Sequence, residues 1–172
     1  MSERRPNILL ISTDQQRADH LGCYGAQGLQ TPHIDVLDKN GTRFERAYVA
    51  SPVCMPNRSS LVTGRLPSLH GVRHNGLNLP LDSCTFIEEL RLAGYRTSLS
   101  GKAHFQCVTQ NPAQLTGQGH AARQQACGRY NQEIGPLWRQ RPDRTLDLPY
   151  YGFEQVDLAV GHGDQVDGHY NQ

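Results

Sequence analysis

The sequence predicts an α/β fold, an open and mostly parallel sheet flanked by helices, and three observations predict it. A continuous apolar run stands near the N-terminus, helix-start signals follow it, and a second strand-like run lies beyond them. Asn7 to Thr13, bounded by Pro6 and Asp14, reads as a strand buried on both faces, the parallel-sheet type. Thr31-Pro32 then supplies an N-cap and a proline at the first helical position, and Gly41 closes that helix after Leu37. Phe44 to Val53 reads as an extended segment leading into a turn at Cys54. Pro56 suits a first helical turn, because its fixed φ is already helical and its missing N–H would be unpaired there anyway, so Cys54 is expected at a helix N-terminus. Thr85-Phe86-Ile87-Glu88 matches a capping box, with Phe86, Ile87, Leu90 and Ala93 at helical spacing until Gly94. Tyr95 to Ser100 is the next strand. The stretch from Gln106 to Arg144 is rich in Gln, Gly and Arg. It is expected to be a polar excursion with at most one amphipathic helix, taken to span 106–150 as a whole.

In such sheets ligands bind beyond the carboxyl ends of the strands. Asp14 follows the first expected strand and Lys102 the later one, so both are expected at one edge of the sheet. Lys102 and His104 alternate along a segment expected to be extended, which would send their side chains out on one face.

A chain of 172 residues can bury one core of ordinary size. Seventeen basic against sixteen acidic residues argue against a nucleic-acid partner or a polybasic membrane contact. Lys39 and Lys102 are the only lysines. The apolar run from Ile8 to Ile11 is too short for a signal-peptide core or a membrane span. Cys23, Cys54, Cys84, Cys107 and Cys127 make neither a paired framework nor a CxxC zinc pattern, so a reduced, cytoplasmic protein is expected.

The most informative stretch is Cys54-Met55-Pro56-Asn57-Arg58, followed by Thr63-Gly64-Arg65. Unpaired amides and the positive end of the helix dipole favour an anion there, and Arg58, one turn in, adds a planar charge-assisted contact. Cys-x-Pro-x-Arg with a following Thr-Gly-Arg resembles the signature of the sulfatase family, whose cysteine is oxidised to formylglycine. Asn57 stands where that family usually has Ser, Ala or another small residue. Arg5 to Gln15, His70 to Asn75 and Leu92 to His104 resemble further family blocks in the expected order. The likeness covers roughly residues 5–105, and beyond them only Tyr151 to Glu154 and the 161–170 stretch look similar.

The resemblance implies an alkaline-phosphatase-like α/β fold and a division of labour for sulfate ester hydrolysis. Hydrated formylglycine at Cys54 would attack sulfur through one hydroxyl, activated by a divalent cation, and expel sulfate through the other. Asp14 would be a hard oxygen ligand to that cation, calcium (Ca2+) first, with Mn2+ or Mg2+ as alternatives. Arg58 would brace the hydrated aldehyde, Lys102 would contact a sulfate oxygen, and His104 would meet the nucleophile or leaving group. Asn75 matches a polar family position near the substrate oxygens, and turn formation in His74-Asn75-Gly76 explains it almost as well. His70 and His74 are expected to serve the loop, and the Asp/His/Gly residues of 161–169 to form turns. The implied partners are a small-molecule sulfate ester and a formylglycine-generating enzyme.

Two other readings stay open. Gln15 replaces the second aspartate common in arylsulfatases and resembles the Asp-Gln pair of choline-sulfatase-like and phosphonate-monoester-hydrolase-like members, which keeps a phosphonate or phosphate diester hydrolase in view. Family members are much longer, so residues 1–172 are expected to be the N-terminal part of a catalytic domain, a fragment or truncated product of which an inactive remnant is the second alternative.

Overall fold

The computed structural model describes residues 5–109, 127–141, 143–162 and 165–168. The chain divides into two units, Met1–Tyr48 and Val49–Gln172. In the first unit, short 3-10 turns at Ala18–His20 and Gly22–Tyr24 precede helix α1, Pro32–Asn40. Thr31 and Pro32 start this helix as expected. The Thr31 hydroxyl does not cap it, however; Oγ1 accepts from Gly22 N at 2.8 Å and donates to Asp35 Oδ1 at 2.9 Å. Asp35 Oδ1 also accepts from Cys23 N at 2.8 Å, so the first turn of α1 is spent holding the preceding loop.

The strand expected over residues 7–13 is not formed. That segment is irregular, and Ile8, Leu9, Leu10 and Ile11 are 59%, 84%, 57% and 71% exposed. A strand buried on both faces needs partners on both edges, and no described strand pairs with it. Asp14 therefore does not follow a strand here, and the expected placement of Asp14 with Lys102 at one sheet edge loses its basis.

The second unit holds helices α2 (Cys54–Thr63), α3 (Pro67–His70) and α4 (Phe86–Leu92), strand β1 (Ser98–Gly101), helix α5 (Gly135–Gln140), and strands β2 (Gln155–His162) and β3 (Gln165–Gly168). The described sheet has the order β1-β2-β3. β1 runs parallel to β2, with Ser98 opposite Gln155 and Gly101 opposite Leu158, whereas β2 and β3 form an antiparallel hairpin. Met55, Val72, Leu79, Ile87, Trp138, Tyr150 and Leu158 fill the core between sheet and helices. No described helix is long and apolar enough to cross a membrane.

Helix α4 keeps half of its expected capping box. Thr85 Oγ1 accepts from Glu88 N at 3.1 Å, and its hydroxyl donates to Tyr151 O at 2.9 Å. The Glu88 carboxylate pairs instead with Arg91, at 2.8 and 2.6 Å. The 106–150 stretch supplies α5 and some of the most buried side chains of the molecule: Tyr130, Gln132, Glu133, Ile134 and Trp138. Its residues 110–126 and 142 lie outside the described set, as do 163–164 and 169–172; the turns expected of the Asp/His/Gly residues over 161–169 give way to strand at Gly161, His162, Asp167 and Gly168, because β2 and β3 pair there as a hairpin.

Candidate active site

Val53, in extended conformation, leads directly into α2, so Cys54 is the first helical residue, as the Pro56 signal predicts. Val53 has no side chain able to cap the helix. Asn75 replaces it from twenty residues away, its Oδ1 accepting from Met55 N at 3.0 Å, while Gly76 N meets Met55 Sδ at 3.1 Å. The His74-Asn75-Gly76 turn thus clasps the end of α2 that carries Cys54. At its other end α2 stops on Gly64, left-handed at φ 64, whose N–H returns to Ser60 O.

His70 locks the same helix from α3. Its Nδ1 accepts from Val72 N at 3.1 Å, which leaves Nε2 as the protonated nitrogen facing Ser60 Oγ at 2.9 Å. Burial pushes the imidazole below its ordinary value, opposed by a bond to the backbone of Pro56. In this tautomer His70 cannot take a proton from Ser60, so the pair is a structural clasp, as expected for a loop-serving histidine.

Arg58 looks toward the sheet. Its Nη1 donates to Lys102 O at 2.7 Å, tying α2 to the residue that follows β1. Lys102 therefore lies beyond the carboxyl end of a strand, where the sequence places it. The extended alternation expected of Lys102 and His104 is broken, because His104 adopts φ 56. A left-handed residue redirects the chain, so the two side chains do not follow strand periodicity.

The turn is held from beneath by Glu133, a residue that periodicity does not single out. Its Oε2 accepts from His104 N at 2.6 Å, and its Oε1 from Phe105 N at 2.8 Å, Gln106 N at 2.9 Å and the Tyr150 hydroxyl at 2.6 Å. The residue is 0% exposed. Burial pushes its carboxyl up, while the bonds from Tyr150, Gln106, Phe105 and His104 pull it down. Gln106 Oε1 accepts from Gln132 N at 3.0 Å and Trp138 Nε1 donates to Gln132 O at 2.8 Å, so α5 is stitched to the same platform. The nearest signal in the sequence is the apolar flank of Tyr130, Ile134 and Trp138 around the polar Gln132-Glu133 pair.

Within the second unit, Asn75 thus bonds the residue after Cys54, and Arg58 bonds the backbone of Lys102, two residues before His104. Asp14 is exposed in the first unit, followed by Gln15 at φ 55. A carboxylate followed by an amide is a hard oxygen donor set, which suits calcium, magnesium or manganese. Among the described residues, no group of three or more His, Cys, Asp or Glu side chains gathers to hold an ion.

A family profile described as Sulfatase matches residues 6–140, a span that includes each of these residues and Glu133. The chain is 41% identical over 100 residues to an ulvan-active sulfatase of Formosa agariphila, which covers 58% of this chain and 20% of the relative. It is 41% identical over 107 residues to human arylsulfatase A, covering 59% and 21%, and 38% identical over 117 residues to a choline-sulfatase of Rhizobium meliloti, covering 68% and 22%. Among solved structures, that of BT4656 in complex with its substrate D-glucosamine-2-N,6-O-disulfate superposes with TM-score 0.58 at 33% identity, over 59% of this chain and 21% of that one. The crystal structure of Ps i-CgsB gives TM-score 0.62 at 27% identity, over 93% and 29%. The chain spans about a fifth of the length of the curated relatives it matches.

Proposed function

The chain belongs to the sulfatase family, and from that premise we propose that the whole protein is a sulfuric ester hydrolase whose nucleophile is made from Cys54. The carrying observation is that Cys54 opens α2 while Arg58 of the same helix bonds the carbonyl of Lys102, the residue after β1. Cys54 and Lys102 both belong to the second unit, which supports reading Cys54 as the nucleophile position and Lys102 as the cation for the sulfate oxygens. Oxidation of Cys54 to formylglycine by a formylglycine-generating enzyme supplies the reactive residue, and Arg58 braces it. Lys102 neutralises a sulfate oxygen, His104 serves the nucleophile or leaving group, and Asn75 adds a substrate contact to its capping bond. From the family resemblance, Asp14 would be an oxygen ligand of a divalent cation, Ca2+ before Mn2+ or Mg2+, and residue 54 a further one; such a cation would supply charge neutralisation at sulfate and activation of the attacking oxygen. The substrate is a small-molecule sulfate ester, supported by the sulfated sugar named in the BT4656 structure. A reduced, cytoplasmic setting belongs to the same reading, on the irregular spacing of the five cysteines.

The test is mass spectrometry of the peptide spanning Cys54, in protein made beside a formylglycine-generating enzyme. An aldehyde at residue 54 is expected, and an intact thiol there refutes the nucleophile. Gln15 favours one competing substrate class, phosphonate or phosphate diesters, because the Asp14-Gln15 pair resembles that of phosphonate-monoester-hydrolase-like family members. Faster turnover of an aryl phosphodiester than of an aryl sulfate by the whole protein would replace the sulfatase reading with that one.

A further inference from the structure

We propose that Glu133 is a positioning residue, an acid that fixes the backbone of the turn after β1 and so sets where the Lys102 and His104 side chains leave the chain. The inference deepens the proposed function and rests on it in one respect, that this turn belongs to the hydrolytic site. Three successive amides, of His104, Phe105 and Gln106, converge on one carboxylate at 2.6, 2.8 and 2.9 Å. A carboxylate offers only acceptors, and the Tyr150 hydroxyl donates to it as well, at 2.6 Å. Such a cradle of consecutive N–H groups is an anion nest, here filled by the protein's own side chain.

The cradle has a conformational purpose. His104 sits at φ 56, a left-handed conformation that strains a side-chain-bearing residue and persists only where the surroundings over-determine it. Glu133 bonds the N–H of this strained residue and of the next two. On the near side, Arg58 Nη1 bonds Lys102 O at 2.7 Å. Two side chains of opposite charge therefore grip the turn from its two ends, one from α2 and one from the segment before α5. A wholly buried acid is an expensive way to fill space, since an apolar side chain would pack there without desolvating a charge. Its bonds to the turn give the acid its reason.

The test compares Glu133→Gln with the wild type, by amide hydrogen exchange at residues 104–106 in this chain and by aryl sulfate turnover in the whole protein. The amide keeps the shape but turns an NH2 group toward at least one backbone N–H. Glu133→Gln is expected to keep its global fold, to lose protection at 104–106 by about tenfold or more, and to lose kcat by about tenfold or more while KM stays within about threefold, the pattern of a displaced reacting group. Wild-type exchange and kcat in a folded Glu133→Gln protein would overturn the proposal, as would a kcat loss matched by an equal loss of folded protein. Should Glu133→Gln fail to fold, Tyr150→Phe leaves the acid and removes one donor. Shifted amide resonances at 104–106 with a smaller kcat loss then support the role, and unchanged ones overturn it. If the wild-type whole protein cleaves no aryl sulfate, the proposed function fails, and exchange at 104–106 decides the positioning role by itself.

Discussion

His70 shows how one residue couples the candidate site to pH. Its two ring nitrogens join Val72 N and Ser60 Oγ, and it is buried against the helix that presents Cys54. Burial holds its pKa below the ordinary 6.5, so the neutral ring is the form the fold accepts. An unfolded chain takes up that proton first on acidification. The stabilising contribution is therefore complete above pH 6.5 and is lost as pH falls from there through the folded-state value, with a slope of at most about 1.4 kcal/mol per pH unit. Glu133, pushed up by burial, works in the opposite sense, since its protonation on acidification relieves a desolvation cost. The difference between wild type and His70→Gln isolates the histidine. Urea midpoints measured from pH 7.5 down to pH 5 should fall less in the variant, and parallel profiles would show that His70 is not the group responsible.

At the scale of elements, helices were legible and their partners less so. Pro32, Pro56 and Thr85 each marked a helix start correctly, because capping and proline geometry depend on neighbours in sequence. The strand over residues 7–13 was not legible, because a strand exists only through pairing that the sequence does not encode locally. Asn75 as the cap of α2 and Glu133 as the anchor of His104 were hidden for the same reason, each serving backbone groups far away in sequence. The Tyr151 to Glu154 stretch, singled out by resemblance, gains a physical account. Gly152 lies at φ 95, and a Cβ there would stand 2.4 Å from Glu88 N, in the first turn of α4. Its carbonyl accepts from Thr97 Oγ1 at 2.7 Å, just ahead of β1. Gly152→Ala should therefore part α4 from the β2 entry and destabilise the second unit by about 2 kcal/mol or more, combining backbone strain with a clash. Gly101→Ala is the matched comparison, with φ 112 but open space around the added carbon, and should cost less. Equal urea midpoints for the two variants would show that the α4 contact bears no weight.

For the whole molecule, the two units differ in what holds them. Every described residue in the fully buried class lies after Tyr48, whereas α1 has none and Ile8 to Ile11 expose most of their apolar surface. Side-chain bonds such as Thr31 to Asp35 organise the first unit, but exposed or half-buried hydrogen bonds each contribute only about 1 kcal/mol, too little to offset the conformational entropy of ordering so many residues without a core. Isolated helices as short as α1 are marginal in water. The second unit has its aromatic cluster, with Phe105 and Tyr151 centroids 5.2 Å apart and Tyr150 and Tyr151 4.8 Å apart, packed beneath the turn that carries His104. The 172-residue chain should accordingly show two classes of amide by hydrogen exchange. Amides of α2, β1, β2 and residues 104–106 should open only with global unfolding, while those of α1 and residues 5–30 exchange through local opening several kcal/mol easier. Asp14 falls in the labile class, so on the proposed role of Asp14 as a metal ligand the 172-residue chain should turn over aryl sulfates poorly even when residue 54 is modified. Protection of α1 equal to that of α2, or turnover at ordinary enzymatic rates, would show that the first unit is held as firmly as the second.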